Sequence, residues 1–397
     1  MNAVPRLRDA AGPALLSYGF RPFFLFGAIY AALTMLLWLP FYFGEITIAT
    51  AFAPRDWHVH ELLYGFLPAV ITGFLLTAVP NWTGRLPLQG MPLLVLVGVW
   101  IAGWVAVSFS TVIGAAAAAV IDVSFLFLVA AAVAREIVAG HNWRNLKTLL
   151  PLILLASGNV AFHIEAYRQG NAEVSISIGV AAVIMLIMLI GGRVVPSFTH
   201  NWLTRENPGR LPLPFARFDN VAITVSATAL TIWIALPGGT ITGLALFTAG
   251  LLQAIRLARW AGDRTTRDRL VLILHGAYAF VPVGFLLTAL AAFGIVPPSA
   301  GLHAWMTGAA GIMTLAIMTR TSLGHTGRRL EASAGTQVIF AAALFAAVAR
   351  IVAALSPAWN VALLSMAALA WIAAFGGFAI VFGPLLSRAR VRTKDSR

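Results

Sequence analysis

No cysteine occurs in the 397-residue chain. That excludes disulfides, iron–sulfur clusters, thiolate-ligated haem, covalently attached c-type haem and zinc–thiolate sites. A metal here has to be held by histidine, methionine, carboxylate or backbone oxygen. Charge is scarce as well: Asp, Glu, Lys and Arg make up 10% of the residues, against about 25% in an ordinary soluble domain. Acids are the scarcer sign, 14 against 27 Lys and Arg. A chain so poor in charge cannot clothe itself in a solvated surface, so a soluble enzyme and a nucleic-acid-binding protein are both excluded. Alternating apolar patterns are missing too, which argues against a transmembrane β-barrel.

What is present is apolar. Sixty percent of the residues are hydrophobic and the mean hydropathy is +0.87. Twelve helices of about 20 residues would use roughly 240 apolar positions. The apolar spans are read at 22–43, 61–80, 91–109, 111–138, 146–167, 173–199, 218–237, 240–260, 268–294, 301–320, 335–355 and 360–386. The expected fold is therefore all-α, a polytopic membrane bundle of twelve transmembrane helices forming a single domain, 1–397. The first span follows a tail carrying Arg6 and Arg8 and has no evident small-residue cleavage site. It reads as a retained helix, not a removed signal peptide.

The net charge of +13 is explained by topology. Of all Lys and Arg, only Arg55, Arg168 and Arg350 fall on the side opposite the N-terminal tail, the even-numbered loops and the C-terminal tail. The positive side is cytoplasmic, so both termini are expected in the cytoplasm. No nucleic acid is needed to account for the charge.

The chain also repeats weakly. His60 and His303 each precede a Thr-Gly-Arg triplet, Thr83-Gly84-Arg85 and Thr326-Gly327-Arg328, with 25 positions from histidine to arginine in both. Gly65 and Gly308 match as well. Pro80 pairs with Pro196, and Arg193 with Arg320. Spans 1, 5 and 9 start after Arg21, Arg144 and Arg269, at offsets of 123 and 125. The expectation is three four-helix units, 18–140, 141–265 and 266–390, with spans 2, 6 and 10 equivalent.

Eight histidines remain as the natural metal ligands. Histidine is costly at membrane depth and usually faces a bundle interior or a cavity. His58 and His60 open span 2, His303 opens span 10, and His163 lies near the outer end of span 5. His275 and His325 fall on the inner side. Histidines on different helices at one depth can ligate haem iron from two sides, or copper through imidazole. His58 and His60 are two residues apart, so a regular helix points them in different directions. Each of these histidines can also sit simply among lipid headgroups. Glu61 is either an acceptor that orients an imidazole or a first-turn acid favoured by the helix dipole. Asp122, read as midway along span 4, is either part of a proton path or a buried hydrogen bond to a neighbouring helix. Arg193 and Arg320, near inner helix ends, pair with a cofactor's carboxylates or snorkel to the interface.

With these residues in place, the sequence resembles the NnrS family of polytopic membrane proteins. The shared motifs begin with Gly19-Phe20-Arg21-Pro22-Phe23-Phe24 and Trp57-His58-Val59-His60-Glu61. Gly73 to Gly84, Asn142-Trp143-Arg144-Asn145, Gly191-Gly192-Arg193-Val194-Val195-Pro196 and Asn201-Trp202 follow. The series ends with Leu302-His303-Ala304-Trp305, Met313-Thr314-Leu315-Ala316 and Leu323-Gly324-His325-Thr326-Gly327-Arg328. The resemblance implies haem and copper in twelve transmembrane helices, and a link to nitric oxide metabolism and nitrosative stress.

On that resemblance, one or two b-type haems and copper are expected as cofactors. His58, His60, His163 and His303 form an outer candidate site, and His275 and His325 an inner one. Nitric oxide or a related small molecule is the expected partner, with quinol as an electron donor and the bacterial inner membrane as the location. The architecture is similar, by analogy only, to the haem-copper oxidase catalytic subunit. Span 7 carries no histidine, so that oxidase's copper pattern is not apparent. Two other classes stay open at this point. One is a transporter of a small anion or metabolite, using Asp122, Arg193 and Arg320. The other is a non-catalytic metal carrier or sensor.

Overall fold

The computed structural model describes residues 12–389; Arg6, Arg8 and the basic C-terminal tail lie outside the described residues. Every described regular element is helical, and twelve helices are long and apolar enough to cross a membrane. They are α1 (Phe20–Tyr42), α2 (Pro54–Thr83), α3 (Met91–Ser108), α4 (Ala115–Ala139), α5 (Leu149–Gln169) and α6 (Val174–Glu206). The second half holds α7 (Arg217–Ala235), α8 (Thr240–Ala258), α9 (Arg269–Ala292), α10 (Pro298–His325), α11 (Ala334–Leu355) and α12 (Asn360–Ser387).

Each expected span is present, but three of them are longer than the apolar pattern suggests. α2, α6 and α10 extend past their apolar stretches at one or both ends, through Trp57-His58-Val59-His60 and Asn201-Trp202-Leu203-Thr204-Arg205-Glu206 among others. Polar residues with adequate helix propensity continue a helix that hydropathy alone would stop. Pro54 and Pro298 stand in the first turns of α2 and α10, where a missing N–H costs nothing. At α4 the reverse happens: Gly114, with φ +91°, breaks the expected span before the helix proper begins at Ala115. Asp122 is therefore two turns from the start of α4, not midway along it.

The same three long helices are the most enclosed. In their apolar stretches 78% of α2 and 67% of both α6 and α10 are buried, against 33–39% in α3, α4, α7, α8, α11 and α12. Each also contains a π-helical turn, at Glu61–Phe66, Ile187–Gly191 and Ala304–Gly311. Such turns insert an extra residue, bend the side-chain register and free backbone carbonyls, and they concentrate at functional sites. Burial and π-turns thus recur every four helices, the period of the sequence repeats. That agreement supports the three-unit repeat as a proposal.

The chain divides into two compact units. Among the described residues, one comprises those up to Ala182, Met318–Arg329 and those from Phe375 onward, and the other Val183–Ile317 with Leu330–Ala374. In the first, α1 packs along α2, and the Tyr30 hydroxyl occupies the space that a side chain at Gly65 would need. The indole N–H of Trp100 on α3 donates to the carbonyl of Gly65 inside the α2 π-turn, at 3.0 Å.

The second unit is organised around a buried arginine. Arg256 on α8 is fully buried. Its Nε donates to Asp219 Oδ1 on α7 at 3.0 Å, and its Nη1 donates to the Met188 carbonyl in the α6 π-turn and to the Tyr278 hydroxyl on α9, each at 3.0 Å. Tyr278 in turn donates to Gln253 Oε1 at 2.8 Å. Gly192 has no side chain because the guanidinium fills that place. Arg256 stands in the last turn of α8 and is nevertheless fully buried, paired with Asp219. An uncompensated buried charge costs about 3–5 kcal/mol. Arg256→Met is accordingly expected to lower the thermal midpoint of detergent-purified protein sharply. Adding Asp219→Asn, which removes a carboxylate left with Arg259 alone at 3.6 Å, should restore part of the loss in the same melting assay.

Candidate metal centre

The first unit brings together side chains from four helices that the sequence keeps far apart. His60 ends the regular first turns of α2, and Glu61 begins its π-turn. Asp122 comes from α4, Asn159 and His163 from α5, and Tyr30 from α1. His60, Glu61 and Asn159 are at most 1% exposed, and Asp122 and His163 are 8% exposed. Asn159 and His163 are four apart on α5 and so share a helix face.

Asp122 Oδ2 is the point of convergence. It accepts a hydrogen bond from Asn159 Nδ2 at 2.8 Å and lies 3.0 Å from His163 Nε2 and 3.1 Å from His60 Nε2. His60 Nε2 is also 3.2 Å from Asn159 Oδ1. On the other edge of the ring, His60 Nδ1 is 3.4 Å from Glu61 Oε1. Tyr30 donates its hydroxyl to Glu61 Oε2, and its ring packs against Trp100 and Trp104 with centroids 5.1 and 5.6 Å apart. Phe52 packs against both imidazoles, with ring centroids 5.4 and 5.5 Å away, and Phe162 packs against that of His60 at 5.2 Å. One nitrogen from each of His60 and His163 and one oxygen of Asp122 lie within 4.8 Å of one another, a grouping able to hold a metal ion.

The remaining expected residues have other surroundings. His58 diverges from His60, as their spacing requires, and stacks on Trp38 with centroids 4.1 Å apart. His325 lies against Phe20 and Tyr18 in the first unit. His275 belongs to the second unit. There the Thr199 hydroxyl donates to Val195 O, so the bond of 2.8 Å between Thr199 and His275 has the imidazole Nε2–H as donor. His303, also in the second unit, bonds through Nδ1 to Ser299 O at 2.7 Å, which places its proton on Nδ1. Arg193 is exposed on α6 and Arg320 is half-buried on α10.

Tyr30 and Asn159 escape a sequence reading. Asn159 carries a signal in retrospect, one turn before a histidine on the same face. Tyr30 carries none, since nothing in its own span marks it out.

Fold and site together define a polytopic α-helical membrane protein with a buried histidine–carboxylate group of metal-ligand spacing. The chain belongs to the NnrS protein family, whose model matches residues 14–390. Comparison with curated proteins and with solved structures finds no match. If Tyr30 anchors Glu61, then Tyr30→Phe should leave a buried carboxylate oxygen short of a donor. The expected cost is about 1–3 kcal/mol, read as a lower thermal midpoint with unchanged helix content by circular dichroism.

Proposed function

We propose that this protein is a haem- and copper-containing membrane protein of nitric oxide metabolism and nitrosative-stress defence. The observation that carries the reading is the convergence of His60, His163 and Asp122 in a chain of the NnrS family. Ionisable groups at membrane depth are expensive and are retained where they bind or conduct something. Two imidazoles and a carboxylate facing one point are a ligand set for a first-row transition metal.

The chain would sit in the bacterial inner membrane, and its charge asymmetry supports both termini in the cytoplasm. This places the His60 end of α2 on the outer side. Haem b, in one or two copies, would be held by the remaining histidines. Among them His303 has hydrogen bonding suited to the role, because a proton fixed on Nδ1 by a carbonyl directs Nε2 to a metal. His58, His275 and His325 are the other members of that set. Arg193 and Arg320 would pair with haem carboxylates. These residues would hold a haem whose iron would supply a binding site for nitric oxide, and quinol would be the electron source. The protein's part is to orient the imidazoles and to keep bulk water from the metal.

The test is a purified, full-length sample in detergent. Iron and copper are expected by elemental analysis, together with a Soret band that moves when nitric oxide is added to the reduced protein. Replacing His303 with alanine should diminish that band. Wild-type protein with neither metal nor a Soret band would end this reading.

A further inference from the structure

We infer that the His60–Asp122–His163 group is a mononuclear, non-haem site for one divalent first-row ion, and that His60 is not an axial ligand of haem. The inference rests on the reading of the chain as a metalloprotein and specifies what this part of it holds.

The spacing is the first argument. An ion bound to nitrogen and oxygen at about 2.0–2.2 Å sets neighbouring ligand atoms roughly 2.9–3.5 Å apart. His60 Nε2 and His163 Nε2 lie 3.1 and 3.0 Å from Asp122 Oδ2, inside that range. The third separation, between the two imidazole nitrogens, is no more than 4.8 Å.

The second argument comes from hydrogen-bond accounting on His60. A neutral imidazole has a single N–H. Here acceptors flank both edges: Glu61 Oε1 at Nδ1, and Asp122 Oδ2 with Asn159 Oδ1 at Nε2. An imidazolium would answer both edges with two N–H groups, and an ion on the Nε2 side answers them with one. Nδ1–H then donates to Glu61, and Glu61 is held by Tyr30. This is the carboxylate–histidine–metal arrangement by which proteins fix the tautomer and orientation of a ligating ring. Glu61 and Asp122 also put two carboxylates into one apolar interior, and a charge of +2 balances them.

The third argument is size. His60 Nε2 faces polar atoms at 3.1 and 3.2 Å, with Phe52 and Phe162 packed over the rings. On the far side of Asp122 the α3 backbone comes so close that a Cβ at Gly103 would sit 3.1 Å from Asp122 Oδ1. A single ion fits among these groups, whereas a planar macrocycle on Nε2 would have to displace Asp122, Asn159 and the aromatic cover together. Three protein donors leave coordination positions open. A two-histidine, one-carboxylate set with open positions suits non-haem iron(II), and its nitrogen and oxygen donors also accept copper(II) or zinc(II). The shared chemistry is a small divalent ion able to take a further small ligand.

The experiment strips full-length protein with a chelator and titrates iron(II), copper(II), zinc(II) and cobalt(II) separately. Bound metal is read by elemental analysis, and cobalt by its visible ligand-field bands. One equivalent is expected in wild type, with affinity at least tenfold weaker in His163→Ala and Asp122→Asn and unchanged in the loop control His141→Ala. The haem Soret band should survive in all of them. Unchanged ion binding in both site variants would overturn the inference. So would His60→Ala protein that loses the Soret band while keeping its ion. If the site variants do not fold, cobalt bands of wild type decide: nitrogen-ligated bands support the site, and no uptake of any of the four ions refutes it. An ion bound here in protein that gives no response to nitric oxide would sink the functional reading and leave the site standing.

Discussion

The constraint on which the structure turns is the burial of Asp122 among two histidines in a chain with almost no charge to spare. A carboxylate at membrane depth needs partners that stay in place. Asp122 obtains them from α2 and α5, so three helices are tied at one point by groups that cannot part without leaving a polar atom bare. The second unit solves the same problem with other chemistry, setting Arg256 against Asp219 and dividing its remaining N–H groups between a π-turn carbonyl and Tyr278. In both places polar atoms confer specificity on helices whose apolar surfaces would pack in many ways.

The π-turns belong to this arrangement. A turn of this kind widens the helix and frees carbonyls that must find donors elsewhere. Trp100 serves Gly65 O in α2, and Arg256 serves Met188 O in α6. In α2 and α10 the π-turn begins immediately after a histidine, His60 in one and His303 in the other. These are the positions that the Thr-Gly-Arg triplets and the matched glycines align. The two histidines have different surroundings. One is set among carboxylates and an amide, and the other is hydrogen-bonded to its own helix backbone.

Much of the fold was legible beforehand because hydrophobic length is a local property. All twelve spans stand where continuous apolar runs put them, and the difference at α2, α6 and α10 arises because polar residues continue the helices. The site was legible in part. His60 and His163 stood out as histidines in apolar surroundings. Asp122 was noticed and kept apart, because the break at Gly114 that shifts its depth looks like any other glycine in a small-residue run. Arg256 drew no notice, since nothing local marks a basic residue near a helix end as buried. Tyr30 and Asn159 acquire meaning only from what lies across from them.

Composition and order along the chain determined that this is a twelve-helix membrane protein without thiol chemistry, strongly asymmetric in charge and restricted to ligands other than thiolate for any metal. These properties follow from free energies of transfer and from charge placement, which add up residue by residue. Tertiary structure alone decided which histidine meets which carboxylate. Helix packing sets those distances, and a hydrogen bond or a metal ligand is made or lost within a fraction of an ångström. Rotation of a helix by one residue, such as a π-turn introduces, is enough to choose between them.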